Sequence, residues 1–551
     1  ELAQLVNDFG EFFCRKIELI RAEIDDIAVH PPCVEYRLPE VKFTSFHHLS
    51  ETEIHDIIIK SSNAFCKMDP IPTWLLKLCV DELTPIITRI INLSLNQGYV
   101  PASWKGALLR PILKKPGLEA QYENFRPVSN LQFVSKIAEK AAVGQLLEHC
   151  EEHAPLPVNQ SAYRKFHSTE TALVKVQNDV LVSMDQREVT LLVLLDLSAA
   201  FDTVDHKIML EILELEFGIR ENALQWIKKK QFVCINQVES RSFDVGYGVP
   251  QGSCLGPVLF LFYVSKLFEI INKHLPNSHG YADDTQLYLS FRPESLSSQD
   301  EAAKRVEDCV ADVRAWLVSQ KLRFNDFKTE FLIIGTYQQL RKIEIDSVRV
   351  GDVDISPVKS VRNLGAWFDE NMSMDVHVGK MCSKAFRGLY KIRQIRKFLS
   401  EESTKILVHA FVTSHLDYCN ALLVGVPQYQ IQRLQKVLNA AARMTCLTPK
   451  VAHITPVLMY LHWLPIKFRV EFKIALLVFK ALHGMAPCYI RDLLSCKYES
   501  IYQLRSDDLS LLQVPKTNAK TLGDRAFKYA APSIWNTLPI SVRQCQSLNS
   551  F

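Results

Sequence analysis

No two of the 14 cysteines stand three positions apart, so the paired spacing of a zinc knuckle or ribbon is absent. The thiols are scattered (Cys14, Cys33, Cys66, Cys79, Cys150 and onward) with no signal-peptide pattern ahead of them. That usage fits a reducing, intracellular compartment. No uninterrupted apolar run reaches the roughly 18–20 residues that cross a bilayer, so no membrane role is expected. Charge of one sign is scarce too: 64 basic against 61 acidic residues leave a net +3. Any site for a polyanion must therefore be local. Short-period repeats, long low-complexity linkers and the G-x-x-x-x-G-K-[ST] phosphate loop are all missing. Apolar bulk is plentiful: 551 residues at 48% hydrophobic suffice for three or four packed units. The chain begins without Met and stops at Phe551, which reads as part of a longer product.

Periodicity organises the chain. Leu2, Leu5, Val6, Phe9, Phe12, Phe13, Ile17 and Ile20 recur at helical spacing, predicting an amphipathic helix ended by Pro31 and Pro32. A second helical block is expected from about Glu51 to Gln97, interrupted at Asp69-Pro70-Ile71-Pro72. Strand candidates such as Ala107-Leu108-Leu109 follow, and helix and strand patterns alternate to about Ile334. That alternation indicates a mixed α+β unit. From about Asp375 the pattern is almost wholly helical.

The stretches with chemistry are acidic, small or basic. Tyr281-Ala282-Asp283-Asp284 sets two carboxylates side by side. A strand interior would aim them to opposite faces, whereas a tight turn lets both help hold an ion. Asp196 ends the buried-strand pattern Val189–Leu195. Three acids on neighbouring strand ends suit paired Mg²⁺ ions in phosphoryl-transfer chemistry. Five residues beyond Asp196, Phe201 can pack under a nucleotide sugar and exclude a 2′-hydroxyl; an N-cap followed by a core Phe is the plain alternative. The Gly/Pro-rich loop 248–257 carries Gln251, within reach of a nucleotide or template, and opens an apolar helix at 258–264. Lys328, just before the strand at 331–334, can act as general acid toward pyrophosphate or be an ordinary exposed lysine. Seven basic residues against three acidic lie between Pro101 and Lys140, and Lys114, Lys115 and Arg126 among them can clamp a triphosphate. Lys380, Lys384, Arg387 and Lys391 fall on one helix face, within a stretch to Lys397 that has seven basic residues and no acid. A solvated face normally mixes signs, so this one points to a nucleic-acid backbone.

Together these stretches resemble the reverse transcriptases of non-LTR (LINE-type) retrotransposons, in the jockey/chicken-repeat branch. The ordered motifs are Asn124–Leu131, Gln160–Ala172, Asp196–His206, Gly248–Phe260, Tyr281–Tyr288, Asn325–Glu330 and Asn363-Leu364-Gly365. The resemblance implies an α+β right-hand polymerase fold of fingers, palm and thumb with helical N- and C-terminal extensions. Its expected divisions are 1–95 (N-terminal extension), 96–370 (fingers and palm), 371–450 (thumb) and 451–551 (C-terminal region, truncated). It implies an RNA template, a DNA primer, dNTPs and two Mg²⁺ ions, with Mn²⁺ as a substitute, and element RNA as a partner. By residue, Asp196, Asp283 and Asp284 match the metal ligands, Phe201 the sugar gate, Arg126 the triphosphate contact and Gln251 the loop glutamine. Lys114 and Lys328 match more loosely. The resemblance also implies work in the nucleus and an endonuclease supplied by a missing upstream segment.

Two departures stand out. Only Ile-Lys-Lys-Lys separates Trp226 from Gln231, about five residues fewer than in relatives. Gln237, ahead of a strand expected from Val238, occupies a turn usually made by glycine. A decayed relic that only binds nucleic acid is therefore the alternative, and an RNA-templated RNA polymerase is a third reading that Phe201 opposes.

Overall fold

The computed structural model describes residues 2–115, 117–231, 234–235, 243–244, 246–495, 511–519 and 521–551. Its strands run in chain order as β1 (Gly106–Leu113), β2 (Phe125–Leu131), β3 (Val189–Leu195), β4 (Cys234–Ile235), β5 (Phe243–Asp244) and β6 (Asn277–Tyr281). There follow β7 (Asp284–Phe291), β8 (Glu330–Ile334), β9 (Val348–Val350), β10 (Val353–Ile355), β11 (Ser360–Asn363) and β12 (Ala366–Asp369). Most of the other described residues are helical, so helix and sheet are mixed as expected. Gln237 and Val238 lie outside the described residues.

Packing divides the chain into two compact units, each discontinuous in sequence. The first comprises Glu1–Tyr163, Asp196–His274 and Cys309–Phe327; the second comprises Arg164–Leu195, Leu275–Asp308 and Lys328–Phe551.

In the first unit the N-terminal helix spans Leu2–Asp25 and stops short of Pro31. Asp25 and Asp26 oppose the negative end of the helix dipole, and residues approaching a proline favour extended backbone. Phe9 of this helix meets Tyr122 and Phe125 edge-on, at 4.8 and 5.1 Å between ring centroids. Ser50 starts the next helix, Glu51–Lys60, through a capping box with Glu53. The prolines at 70 and 72 then separate it from Thr73–Leu78 and Val80–Asn96. β1 and β2 form an antiparallel hairpin with Ile112 opposite Arg126, and β1 also pairs in parallel with β4.

Leu255–His274 corrects the run-length expectation. These 20 residues have the length and hydropathy (1.4) of a membrane span. Lys266 and Glu269 interrupt the apolar run, which hides it from a count of consecutive residues. The stretch forms two helices, Leu255–Tyr263 and Leu267–His274, and 83% of its most apolar window is buried. A helix apolar all round is what a protein core accepts.

In the second unit an antiparallel sheet runs in the order β6-β7-β3-β8. Its central strand, β3, is buried at nearly every position. That explains an apolar run without polar alternation. Leu192, Tyr288 and Leu332 of the sheet share one core with Met381, Leu434 and Trp535 of the helical half.

Two buried histidines make this unit acid-sensitive. Burial, with Lys175 and His167 nearby, pushes the pKa of His279 down to about 3. Burial and Lys384 push that of His377 down to about 4. Both are neutral in the fold, whereas the unfolded chain protonates them below about pH 6.5. Stability is therefore full above that pH and lost as pH falls toward the folded values. At pH 5 the loss is roughly 2 kcal/mol per histidine. Urea midpoints measured from pH 7 to pH 5 should fall, and His279→Phe should flatten the slope. An unchanged slope would remove His279 from this account.

Candidate active site

Tyr281-Ala282-Asp283-Asp284 is a two-residue β-hairpin. Tyr281 pairs with Asp284, and Ala282, at φ 60°, makes the turn with Asp283. Asp284 thus opens β7 while Asp283 remains in the turn, so strand alternation does not force them apart. Asp283 is half-buried and Asp284 exposed. At the near end of β3, Leu195 is opposite Thr285, the neighbour of Asp284. Asp196 comes next in the chain after Leu195 and is half-buried. Its backbone carbonyl accepts from Asn325 N–H at 2.9 Å. Lys328 is exposed and closes the 3-10 turn Asp326–Lys328, two residues ahead of Glu330. Glu330 opens β8 opposite Leu194, and burial lifts its carboxyl above the ordinary carboxylate range. Among the described residues no three His, Cys, Asp or Glu side chains form a ready-made metal cluster. Carboxylate oxygens are nonetheless the donors a hard divalent cation takes.

The first unit gathers the residues expected at a nucleotide. The Phe201 ring stacks on Phe260 at 4.6 Å and is half-buried, leaving part of the ring exposed. The side-chain amide of Gln251 donates to Asp202 Oδ1 at 2.8 Å, and the Gln251 backbone carbonyl accepts from Ser129 N–H at 2.7 Å. Burial raises the Asp202 carboxyl pKa, and the Gln251 hydrogen bond, Lys16 and Lys114 pull it back. Two glycines make the close approach possible. A Cβ on Gly248 (φ 84°) would stand 2.6 Å from the Asp202 carbonyl oxygen, and one on Gly252 (φ 122°) would collide with the Ser129 carbonyl.

Directly opposed residues of an antiparallel hairpin share a face, as do alternate residues along each strand. Arg110, Ile112 and Lys114 therefore share a face with Arg126, and all three cations are exposed. Lys114 Nζ donates to the Glu123 carbonyl at 2.7 Å. Sequence reasoning passed over Arg110 and Asp202. Period-two spacing from Lys114 could have found Arg110; nothing in the sequence pairs Asp202 with Gln251.

In the second unit Lys380, Lys384, Arg387 and Lys391 are all exposed on the helix Asp375–Ile395. Two adjoining grooves line this face. One, of 410 Å³, is walled by Lys384, Arg387, Lys391 and Phe411; the other, of 210 Å³, by Arg362, Trp367, Lys380 and Tyr418. They share Lys384 and His415. Lys380 Nζ lies over the Trp367 ring, 5.3 Å from its centroid. A Cβ on Gly388 would stand 2.5 Å from the Phe411 carbonyl, so glycine lets the helix seat there. Asn363-Leu364-Gly365 turns β11 into β12, with positive φ at both Leu364 and Gly365. The Tyr418 hydroxyl donates to the Leu364 carbonyl at 2.5 Å, and the Asn363 amide donates to Gln286 of β7 at 2.7 Å. Cations and aromatic rings along one groove suit a polynucleotide.

Residues 112–368 match the family of reverse transcriptases, RNA-dependent DNA polymerases. The match covers a little under half of the chain, and reverse transcriptases as a class have a palm-type fold and depend on divalent cations. Three relatives from Drosophila melanogaster make the resemblance more particular. The probable RNA-directed DNA polymerase from transposon BS is 25% identical over 58% of this chain and 35% of its own length. Its counterpart from transposon X-element is 23% identical over 71% of this chain and 43% of its own length. The RNA-directed DNA polymerase from mobile element jockey is 29% identical over 38% of this chain and 24% of its own length. The resemblance to LINE-type reverse transcriptases stands, and the chain spans well under half the length of these curated relatives.

Proposed function

We propose that this chain is the RNA-directed DNA polymerase of a non-LTR retrotransposon, adding dNTPs to a primer 3′-hydroxyl on an RNA template. The observation that carries the reading is the acidic hairpin Asp283-Asp284 in register with the end of β3, where Asp196 follows. In this reading β1 and β2 belong to the fingers, β6-β7-β3-β8 is the palm, residues 371–450 are the thumb, and 1–95 and 451–551 flank them. Asp196, Asp283 and Asp284 would hold two Mg²⁺ ions, with Mn²⁺ as a substitute. When bound, such ions would supply nucleophile activation and charge stabilisation at the transferred phosphate. Arg126 and Lys114, with Arg110, neutralise the triphosphate; Gln251 borders the nucleotide; Lys328 protonates the leaving pyrophosphate. Lys380, Lys384, Arg387 and Lys391 track the template–primer backbone. Element RNA is the natural template, the nucleus the working compartment, and an endonuclease segment elsewhere in the product the source of target nicks.

A decayed relic that only binds nucleic acid is the alternative reading. The helix Glu221–Gln231 continues through the three lysines, and Lys230 is buried in an ion pair with Glu139. Primer extension by the purified chain on an RNA template with Mg²⁺ decides between the readings. Salt-sensitive RNA binding without extension would select the relic.

The sugar gate offers a separate check. Phe201→Val should raise ribonucleotide incorporation relative to dNTP by about 10- to 100-fold, since one steric group is worth that order of discrimination. Competition between rNTP and dNTP on one template measures it. An unchanged ratio would return Phe201 to a packing role against Phe260.

A further inference from the structure

Among the described residues, the most buried charge pair of the first unit lies behind the Gln251 loop. Glu139, mid-way along the helix Phe133–His153, is 1% exposed, and Lys230, at the end of Glu221–Gln231, is 3% exposed. Glu139 Oε1 and Lys230 Nζ are 2.9 Å apart. The ammonium also donates to the Trp104 carbonyl at 2.8 Å and to Ser135 Oγ at 2.9 Å, which uses all three of its protons. Glu139 Oε2 accepts from Ser253 Oγ at 2.8 Å, Cys254 N–H at 2.7 Å and Leu255 N–H at 3.3 Å. Ser253 Oγ in turn accepts from the N–H groups of Leu255 and Gly256 at 3.1 and 3.0 Å. The network therefore seizes the start of the apolar helix Leu255–Tyr263, four residues beyond Gln251.

Stability alone is a poor reason for such a pair. Desolvating two ions costs several kcal/mol, and well-packed apolar residues often serve a fold equally well. Apolar contacts are non-directional, however, while a fully satisfied network fixes its partners in one geometry. Of the three lysines in the shortened junction, Lys228 is exposed, Lys229 donates to the Gly98 carbonyl, and Lys230 is the one sunk into the interior.

We infer that Glu139 and Lys230 are positioning residues: their buried ion pair latches the 251–255 segment to two helices and so sets where Gln251 stands beside Asp202 and Phe201. The latch is read from the geometry, and its effect on nucleotide use rests on the polymerase reading. A displacement of about 1 Å at a substrate-positioning group can cost as much as 100-fold.

The test replaces the pair by apolar residues of similar size, Glu139→Leu with Lys230→Met, in the full chain. A second variant, Ser253→Ala, removes a single hydroxyl and keeps the test open where the double variant does not fold. Two readouts are taken: amide hydrogen exchange across residues 251–256, and the KM for dNTP against kcat on an RNA template–primer. The latch predicts exchange in that segment faster by about tenfold or more, and a dNTP KM higher by a similar factor, with the KM for template–primer unchanged. A folded variant with wild-type exchange overturns the latch. Faster exchange with an unaltered dNTP KM overturns its role in nucleotide positioning. Absence of extension by the wild-type chain would sink the polymerase reading instead, and the exchange data would still decide the latch.

Discussion

Primer extension by the Asp283→Asn, Asp284→Asn chain is expected to fall by about three orders of magnitude or more. The substitutions keep side-chain size and remove two negative charges from the hairpin turn, so folding should survive while cation binding does not. Asp284 is exposed and Asp283 half-buried, so neither amide creates a buried polar group without access to water. Asp196→Asn should act in the same direction, because Asp196 follows directly on the strand partnered with β7. The controls are an unchanged urea midpoint and unchanged RNA binding at low salt. Extension at wild-type rate by the hairpin double variant would falsify the assignment of the acids.

Substituting Lys380, Lys384, Arg387 and Lys391 together with alanine should have the second largest effect, and on binding rather than chemistry. Each phosphate neutralised contributes about 0.7–0.9 to the slope of log affinity against log salt, so losing four contacts should flatten that slope by about 3. Affinity for an RNA–DNA template–primer near physiological salt should drop by roughly 100-fold. All four residues are exposed on one helix face, so stability should change little. Titrations at several salt concentrations measure the slope directly. A slope equal to wild type would mean that the cations face solvent and nothing more. Trp367 refines the forecast: Lys380 lies over its ring, so Lys380→Ala also removes a cation–π contact that Lys384→Ala leaves in place.

Local patterns were legible wherever short-range physics decides. The β3 run announced a buried strand, and the helical pattern from about Glu51 announced a helix that does begin there. The four-cation helix face was countable from spacing alone, and the structure leaves all four side chains exposed. The tight turn at Ala282-Asp283 followed from asking how two adjacent acids can serve one ion. Legibility ended where a long-range partner decides. The N-terminal helix stops at Asp25, ahead of the prolines that mark its outer limit. Leu255–His274 escaped a search for unbroken apolar runs because Lys266 and Glu269 interrupt it; only the fold shows that Lys266 is buried, ion-paired with Glu216 and Glu269.

By itself the sequence determined the acidic motifs, their order, the mixed helix-and-sheet class and the basic helix face, because each is written in neighbouring residues or in one helical or strand period. Only the tertiary structure decided that Thr285 lies opposite Leu195, that Arg110 joins Arg126, that Gln251 leans on Asp202, and that Lys230 is buried against Glu139. Those partners are separated by 16 to more than 90 positions in the chain, and strand register and core packing bring them together. A local pattern carries no record of either.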